Sequence, residues 1–254
     1  MANILPPDEG PSGSSTGPAV AAVVGGTHGL GLQLGRRARL AGMRTVVYGR
    51  SAGQLKDDPD LEPRSLDLTD PASIAACDVV LPRPVYVFWV AGAFLKKSLV
   101  QTTDEELEGL TRLLLTGPVR FLRRVLSDAP GPLHLITIAS SSSWRRREHE
   151  TLYCALKAAQ AHFTRTLVAE LVEAHPDNRV TLVNPGGLAV PEFHTGMEID
   201  YGTMMDPDEV ARIIWRTVTE QRAPFAEVQI LRSREPGREG VPIVSFGPRA
   251  PEEP

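Results

Sequence analysis

A tyrosine and a lysine stand four residues apart at Tyr153 and Lys157, with Ser140 thirteen residues upstream of the tyrosine. On a helix that spacing puts both side chains on one face, a turn apart. A free phenol, with a pKa near ~10, is a poor proton carrier at neutral pH. An ammonium held beside it favours the phenolate and lowers that value. A phenol tuned in this way can exchange a proton with a carbonyl or alcohol oxygen. The pair also arises by chance on helices, so its meaning depends on the elements that position it.

The most telling of those elements lies near the N-terminus. Residues 19–24 form an apolar run of strand length between Pro18 and Gly25. Gly25-Gly26-Thr27-His28-Gly29-Leu30-Gly31 follows, then residues 32–40 in a helical pattern. Strand, glycine loop and helix in that order form a cradle for a pyrophosphate. The glycines allow a tight turn and a close approach to the backbone, and the helix N-terminus offers free N–H groups and a positive dipole end. An ordinary glycine-rich turn between strand and helix has the same look in isolation.

Taken together and in this order, these residues resemble the short-chain dehydrogenase/reductase family, from about Val20 to about Leu231. Gly25, Gly29 and Gly31 match the family's G-x-x-x-G-x-G spacing. Ser140, Tyr153 and Lys157 match its Ser–Tyr–Lys catalytic set. Asp67, followed by Leu68, matches the acidic residue that contacts adenine. Ala91-Gly92 matches the end of the family's N-N-A-G segment. Asn184-Pro185-Gly186 matches the Pro-Gly that lines the nicotinamide pocket. The resemblance implies a dinucleotide site built from Gly25, Thr27, His28, Gly29, Leu30, Gly31, Arg50, Asp67, Leu68, Ala91, Gly92, Lys157, Pro185 and Gly186. It implies that Tyr153 is the general acid or base, that Lys157 lowers its pKa and bonds the nicotinamide ribose, and that Ser140 orients the substrate oxygen; Ser141 is the fallback for that role.

The cofactor can be chosen at the end of the second strand, Val46-Val47-Tyr48-Gly49-Arg50. An enzyme that uses NAD places a carboxylate there for the ribose 2′-hydroxyl. This chain has Gly49 and then Arg50, whose planar fork suits a 2′-phosphate. His28 sits where related NADP enzymes often carry a basic residue. NADP(H) is therefore expected over NAD(H), in the reduction of a carbonyl or oxidation of an alcohol on a small organic substrate. The alternatives are redox-neutral chemistry, such as an epimerase or dehydratase, and a cofactor-binding regulator without turnover.

The alternatives draw on departures from the family pattern. Leu114 occupies the place of the family's catalytic asparagine, and Leu113 and Leu115 flank it. Trp89 and Val90 replace the asparagine pair before Ala91-Gly92. Val190 replaces the threonine that bonds the nicotinamide carboxamide. Neither Thr111 nor Thr116, on the same helix as Leu114, is an obvious substitute.

Alternating strand-like and helical runs imply an α/β fold, a Rossmann-type doubly wound parallel sheet in three α/β/α layers. Strands are expected near 19–24, 44–48, 63–67, 85–91, 132–139, 179–184 and 226–231, about seven in all. Helices are expected near 29–42, 104–128, 151–175 and 207–221, with at most a turn or two between 68 and 85. Asp206-Pro207 reads as a helix start. Residues 18–236 are expected to form a single domain, residues 1–17 a disordered N-terminal tail and residues 237–254 an extended C-terminal tail.

The segment from Leu188 to Met205 is expected to form a mobile lid, with His194 a solvated loop histidine. Its aromatic and methionine side chains suit an apolar substrate or simple packing on the core. Arg145, Arg146 and Arg147, at the rim of the expected site, could bind an anionic substrate group, although Glu148 and Glu150 partly neutralise them and a solvated loop is the commoner outcome.

The chain has 254 residues, 42% of them hydrophobic, enough for one full core. A net charge of −4 gives no reason to expect nucleic acid or an anionic membrane as partner. Cys77 and Cys154 have no metal-ligand spacing, so no metal site is expected, and they suit a reducing compartment. Cys154 reads as a packing residue. No apolar run reaches membrane-spanning length and no secretory pattern opens the chain, so a cytoplasmic location is expected. The long helices 104–128 and 151–175 match those that build subunit contacts in the family, which implies a homodimer or homotetramer.

Overall fold

The structure, a computed structural model, describes residues 18–128 and 131–249. The expected N-terminal tail, residues 1–17, lies outside the described residues. Eight strands form one sheet in the order β3-β2-β1-β4-β5-β6-β7-β8. They are β1 (Val20–Val24), β2 (Arg44–Gly49), β3 (Glu62–Ser65), β4 (Val85–Trp89), β5 (Leu133–Ile138), β6 (Arg179–Pro185), β7 (Phe225–Arg232) and β8 (Pro242–Phe246). The first seven are parallel, and β8 runs antiparallel to β7.

Burial on both faces explains the apolar strand sequences. All five residues of β1 are buried, because helices cover both sides of a parallel sheet. Val20, Ala22 and Val24 point into one core with Phe121 and Leu167. Ala21 and Val23 point into the other with Leu34, Ile214 and Trp215. Thus the alternation of side chains along one strand serves two layers. Helix α1 (Gly29–Leu40) and α6 (Pro207–Glu220) cover the second face. Helices α2 (Pro71–Ala76), α3 (Asp104–Thr111), α4 (Gly117–Asp128) and α5 (Thr151–Ala174) complete the set. At the start of α6 the Asp206 side chain accepts from Asp208 N at 2.9 Å, with Pro207 in the first turn.

Two features depart from the sequence expectations. The helix expected over 104–128 is interrupted by a π-helical turn at Arg112–Thr116. The Leu114 carbonyl there accepts from Gln160 Nε2 at 2.7 Å. The stretch from 237 onward is no simple tail, because residues 242–246 add β8 to the free edge of β7. That edge would otherwise present unpaired backbone groups. Among the described residues, no helix is long and apolar enough to cross a membrane.

Candidate active site

Strand order reverses at β1, whose chain continues to β2 on one side while β4 flanks it on the other. A crevice opens at such a switch point, beyond the carboxyl ends of the strands. A cavity of about 1120 Å³ lies there. It is lined by every residue named above for the dinucleotide site, from Gly25 to Gly186, and by Ser140, Tyr153 and Lys157.

The glycine loop forms one wall. Gly25 has φ +87°, and a Cβ on it would stand 2.5 Å from the backbone of Ala91. A Cβ on Gly31 would collide with the Gly25 carbonyl. These two positions let β1, β4 and α1 meet without side chains between them. His28 caps α1 through its backbone only; no side chain satisfies the first turn, which holds no acidic residue. Free N–H groups and the positive dipole end therefore border the cavity. Thr27 Oγ1 lies 2.9 Å from His28 Nδ1.

Arg50 is exposed beside this wall, one residue past β2. Asp67 is half-buried, and its carboxylate accepts from Thr69 N at 2.8 Å and Thr69 Oγ1 at 2.7 Å. Burial alone would raise its pKa, but these bonds and the Arg50 charge together hold it below the usual carboxylate value.

The opposite wall carries the trio. Ser140 follows β5, and its Oγ accepts from Ser142 N at 3.1 Å. Ser143 donates to Asn184 Oδ1 at 3.3 Å, and Asn184 Nδ2 donates to Glu227 Oε1 at 3.1 Å. Arg165 grips the same buried Glu227 with bonds of 2.9 and 2.7 Å. This chain braces the serine turn from β6, β7 and α5.

Helix α5 turns Tyr153, Lys157, Gln160 and Thr164 inward at three- and four-residue steps. Tyr153 is 4% exposed and Lys157 3%. The Lys157 ammonium donates to the Ile138 carbonyl at 3.2 Å and lies 5.9 Å from the centroid of the Tyr153 ring. Desolvation dominates both groups. It pushes the Tyr153 phenol well above its ordinary value, against a hydrogen bond with Ser140 that pulls the other way. It pushes Lys157 down to about 7. The expectation that Lys157 lowers the phenol's pKa is therefore corrected: burial penalises both charged forms, and Lys157 is not among the groups that act on the phenol.

Several residues stand where sequence reasoning did not put them. His194 is buried, not solvated, with Nδ1 3.1 Å from the Val190 carbonyl. Residues 188–205 pack down: Leu188 pairs with Met205, and Phe193 and Phe94 meet the Tyr153 ring at 6.5 and 4.9 Å between centroids. Phe94 gave no signal in the sequence, since only the chain's return past β4 brings it to Tyr153. Leu114 is fully buried, and its Cδ2 would stand 3.4 Å from a Cβ on Gly92. Cys154 is half-buried, and burial raises its thiol pKa, which suits packing. Arg145 and Arg147 line the cavity, whereas Arg146 is exposed outside it. Arg232 and Arg234 also line it. A readable signal existed for them, since Arg-Ser-Arg follows the last parallel strand, where such sheets bind ligands.

Comparison with known proteins agrees with this geometry. A family model described as short chain dehydrogenase matches residues 19–198. No curated protein matches the chain. Among solved structures, serine dehydrogenase from Escherichia coli is 23% identical with a TM-score of 0.66, over 82% of this chain and 96% of that one. An alcohol dehydrogenase from the archaeon Thermococcus sibiricus, complexed with 5-hydroxy-NADP, is 21% identical with a TM-score of 0.70, over 83% and 95%. A short-chain dehydrogenase from Streptomyces avermitilis is 24% identical with a TM-score of 0.69, over 82% and 88%. At these identities the likeness is one of fold.

Proposed function

The chain belongs to the short-chain dehydrogenase family, and from that premise we propose that it is an NADP(H)-dependent oxidoreductase that reduces a carbonyl, or oxidises the matching alcohol, of a small organic substrate. The observation that carries this reading is the meeting of Ser140, Tyr153 and Lys157 in one cavity with the glycine loop and Arg50. The residues fit a dinucleotide: Gly25 and Gly31 leave a cradle that side chains would fill, and the first turn of α1 is uncapped. Arg50 stands where a 2′-phosphate would be met, and no carboxylate occupies that strand end. Pro185 and Gly186, which line the same cavity, would border the nicotinamide.

A bound nicotinamide supplies or accepts the hydride. The protein's part is the proton. Burial keeps the Tyr153 phenol protonated at neutral pH, which suits an acid in the direction of reduction. Its O–H bond breaks toward the carbonyl oxygen, which Ser140 polarises by hydrogen bonding. Lys157, whose pKa is pushed down to about 7, then passes a proton from its ammonium form to the phenolate, and the amine left behind regains one from water.

One observation favours a second reading, redox-neutral chemistry or a regulatory role. Leu114 offers no polar side chain, and its carbonyl is already taken by Gln160. Oxidation of NADPH against a panel of ketones and aldehydes separates the readings. Under the first, native protein turns over and Tyr153→Phe loses about 10²-fold or more of kcat while still binding NADPH. Retained turnover in that variant refutes the proton-transfer role. NADPH binding without turnover of any carbonyl selects the second reading.

A further inference from the structure

Besides the dinucleotide residues and the Ser140–Tyr153–Lys157 set, the wall of the cavity carries a group of cations. Arg147 reaches it from the loop before α5, Arg232 from the last residue of β7, and Arg234 from two residues further on. None of the three is in an ion pair among the described residues. Arg232 is half-buried and fixed in place, since its Nη1 donates to the Thr203 carbonyl at 3.1 Å and to Thr203 Oγ1 at 3.0 Å. Its guanidinium carbon lies 3.7 Å from the place a Cβ on Gly187 would take, next to the Pro185–Gly186 pair.

These guanidinium groups feel one another. Burial first, then Arg234 and Arg147, make Arg232 a weaker cation than usual, while Asp200 opposes them. Other acidic groups share the cavity wall. Glu150 faces Arg147 and Lys96, and burial pushes it toward its neutral form. Glu192 and Glu198 line the cavity from exposed positions. Like charges gathered from separate elements repel unless an anion joins them. Arg146, in the same run as Arg147, stays outside the cavity, so the convergence is not a general feature of the loop. The phosphates of a dinucleotide would be served elsewhere, by the glycine loop and Arg50.

We propose that Arg147, Arg232 and Arg234 form an oxyanion subsite, and that the substrate carries a carboxylate or phosphate there, with an apolar body along Phe94 and Phe193 and its carbonyl at Tyr153. This rests on the nicotinamide-and-carbonyl reading of the cavity. Arginine forks suit both anions.

The test is calorimetric titration of NADP⁺-loaded protein, in which a ketone cannot react, with 4-oxooctanoate, its methyl ester and 2-oxooctyl phosphate. The expected result is that at least one anion binds roughly ten- to a hundred-fold more tightly than the ester. The tighter of the two identifies the anion. In an Arg147→Gln/Arg232→Gln double variant the advantage disappears; glutamine at 232 can still donate to Thr203, and a melting curve checks the fold. Arg234→Gln, at an exposed position, reduces the advantage without that risk. An ester that binds as tightly as both anions overturns the proposal. So does an advantage that survives in the variants, or no binding of any of the three to protein that holds NADP⁺. Failure to load NADP⁺ defeats the underlying reading instead.

Discussion

Lys157 is a buried amine that donates to the Ile138 carbonyl, and its titration has a consequence for stability. Its folded pKa, pushed down to about 7, lies below the ordinary 10.5. Between those values the unfolded chain holds the proton and the folded protein does not, so stability rises with pH across that window and is lost as pH falls toward 7. In Lys157→Met this slope is removed. The unfolding free energy of the variant minus that of the native protein should therefore fall steadily from pH 7 to 9.5, by up to about 1.4 kcal/mol per unit. Chemical denaturation at four pH values measures it, and parallel curves for the two proteins would show that Lys157 titrates as an ordinary lysine. At this scale the sequence was largely legible. Tyr153, Lys157 and the glycines sit in short local patterns, and all of them line one cavity. Phe94 was not read, because the sheet and not the local sequence brings it to the site, and Arg232 and Arg234 were passed over although Arg-Ser-Arg stands at the end of the last parallel strand. His194 was misread because nothing in residues 188–205 announces that this segment packs down over Tyr153.

Between elements, the brace that holds the serine turn runs through one ion pair. Arg165 of α5 and Glu227 of β7 make a two-pronged contact, with the Glu227 side chain 2% exposed. Cutting such a pair on one side leaves a buried charge without its partner. Arg165→Met should cost about 3–5 kcal/mol, read from urea unfolding, and adding Glu227→Gln should recover much of the loss. A cost below about 1 kcal/mol for the single variant would mean that Asn184 and Gln229 suffice to hold the carboxylate. The inner parallel strands were legible as apolar runs because both their faces are covered, whereas β3, Glu-Pro-Arg-Ser at the sheet edge, has no buried residue. Strand β8 was not, since Pro242-Ile243-Val244-Ser245-Phe246 lies among glycines and prolines and is half exposed. The π-turn was invisible too, because Leu113-Leu114-Leu115 has the same apolar face in either helix.

The whole molecule presents apolar surface around the start of α3. Leu99 is 64% exposed, Val100 98% and Leu107 43%, all at the start of the α3 region. Water contact at such a cluster is unfavourable, and a second copy would relieve it. The expected assembly is a homodimer or homotetramer, so light scattering coupled to size-exclusion chromatography should give two or four times 27.6 kDa. A single 27.6 kDa species at micromolar concentration would reject subunit association. The order of elements and the end of the sheet where the site lies followed from the sequence. The share of the cavity wall that β7 and residues 188–205 supply did not, Arg232 and Arg234 included.

The most direct test of the account is a parallel titration of the purified protein with NADPH and NADH, read by nicotinamide fluorescence. The account predicts saturable NADPH binding with NADH at least about tenfold weaker, because Arg50 meets a 2′-phosphate that NADH lacks. Equal affinity for the two would contradict the role of Arg50, and binding of neither would contradict the dinucleotide site itself.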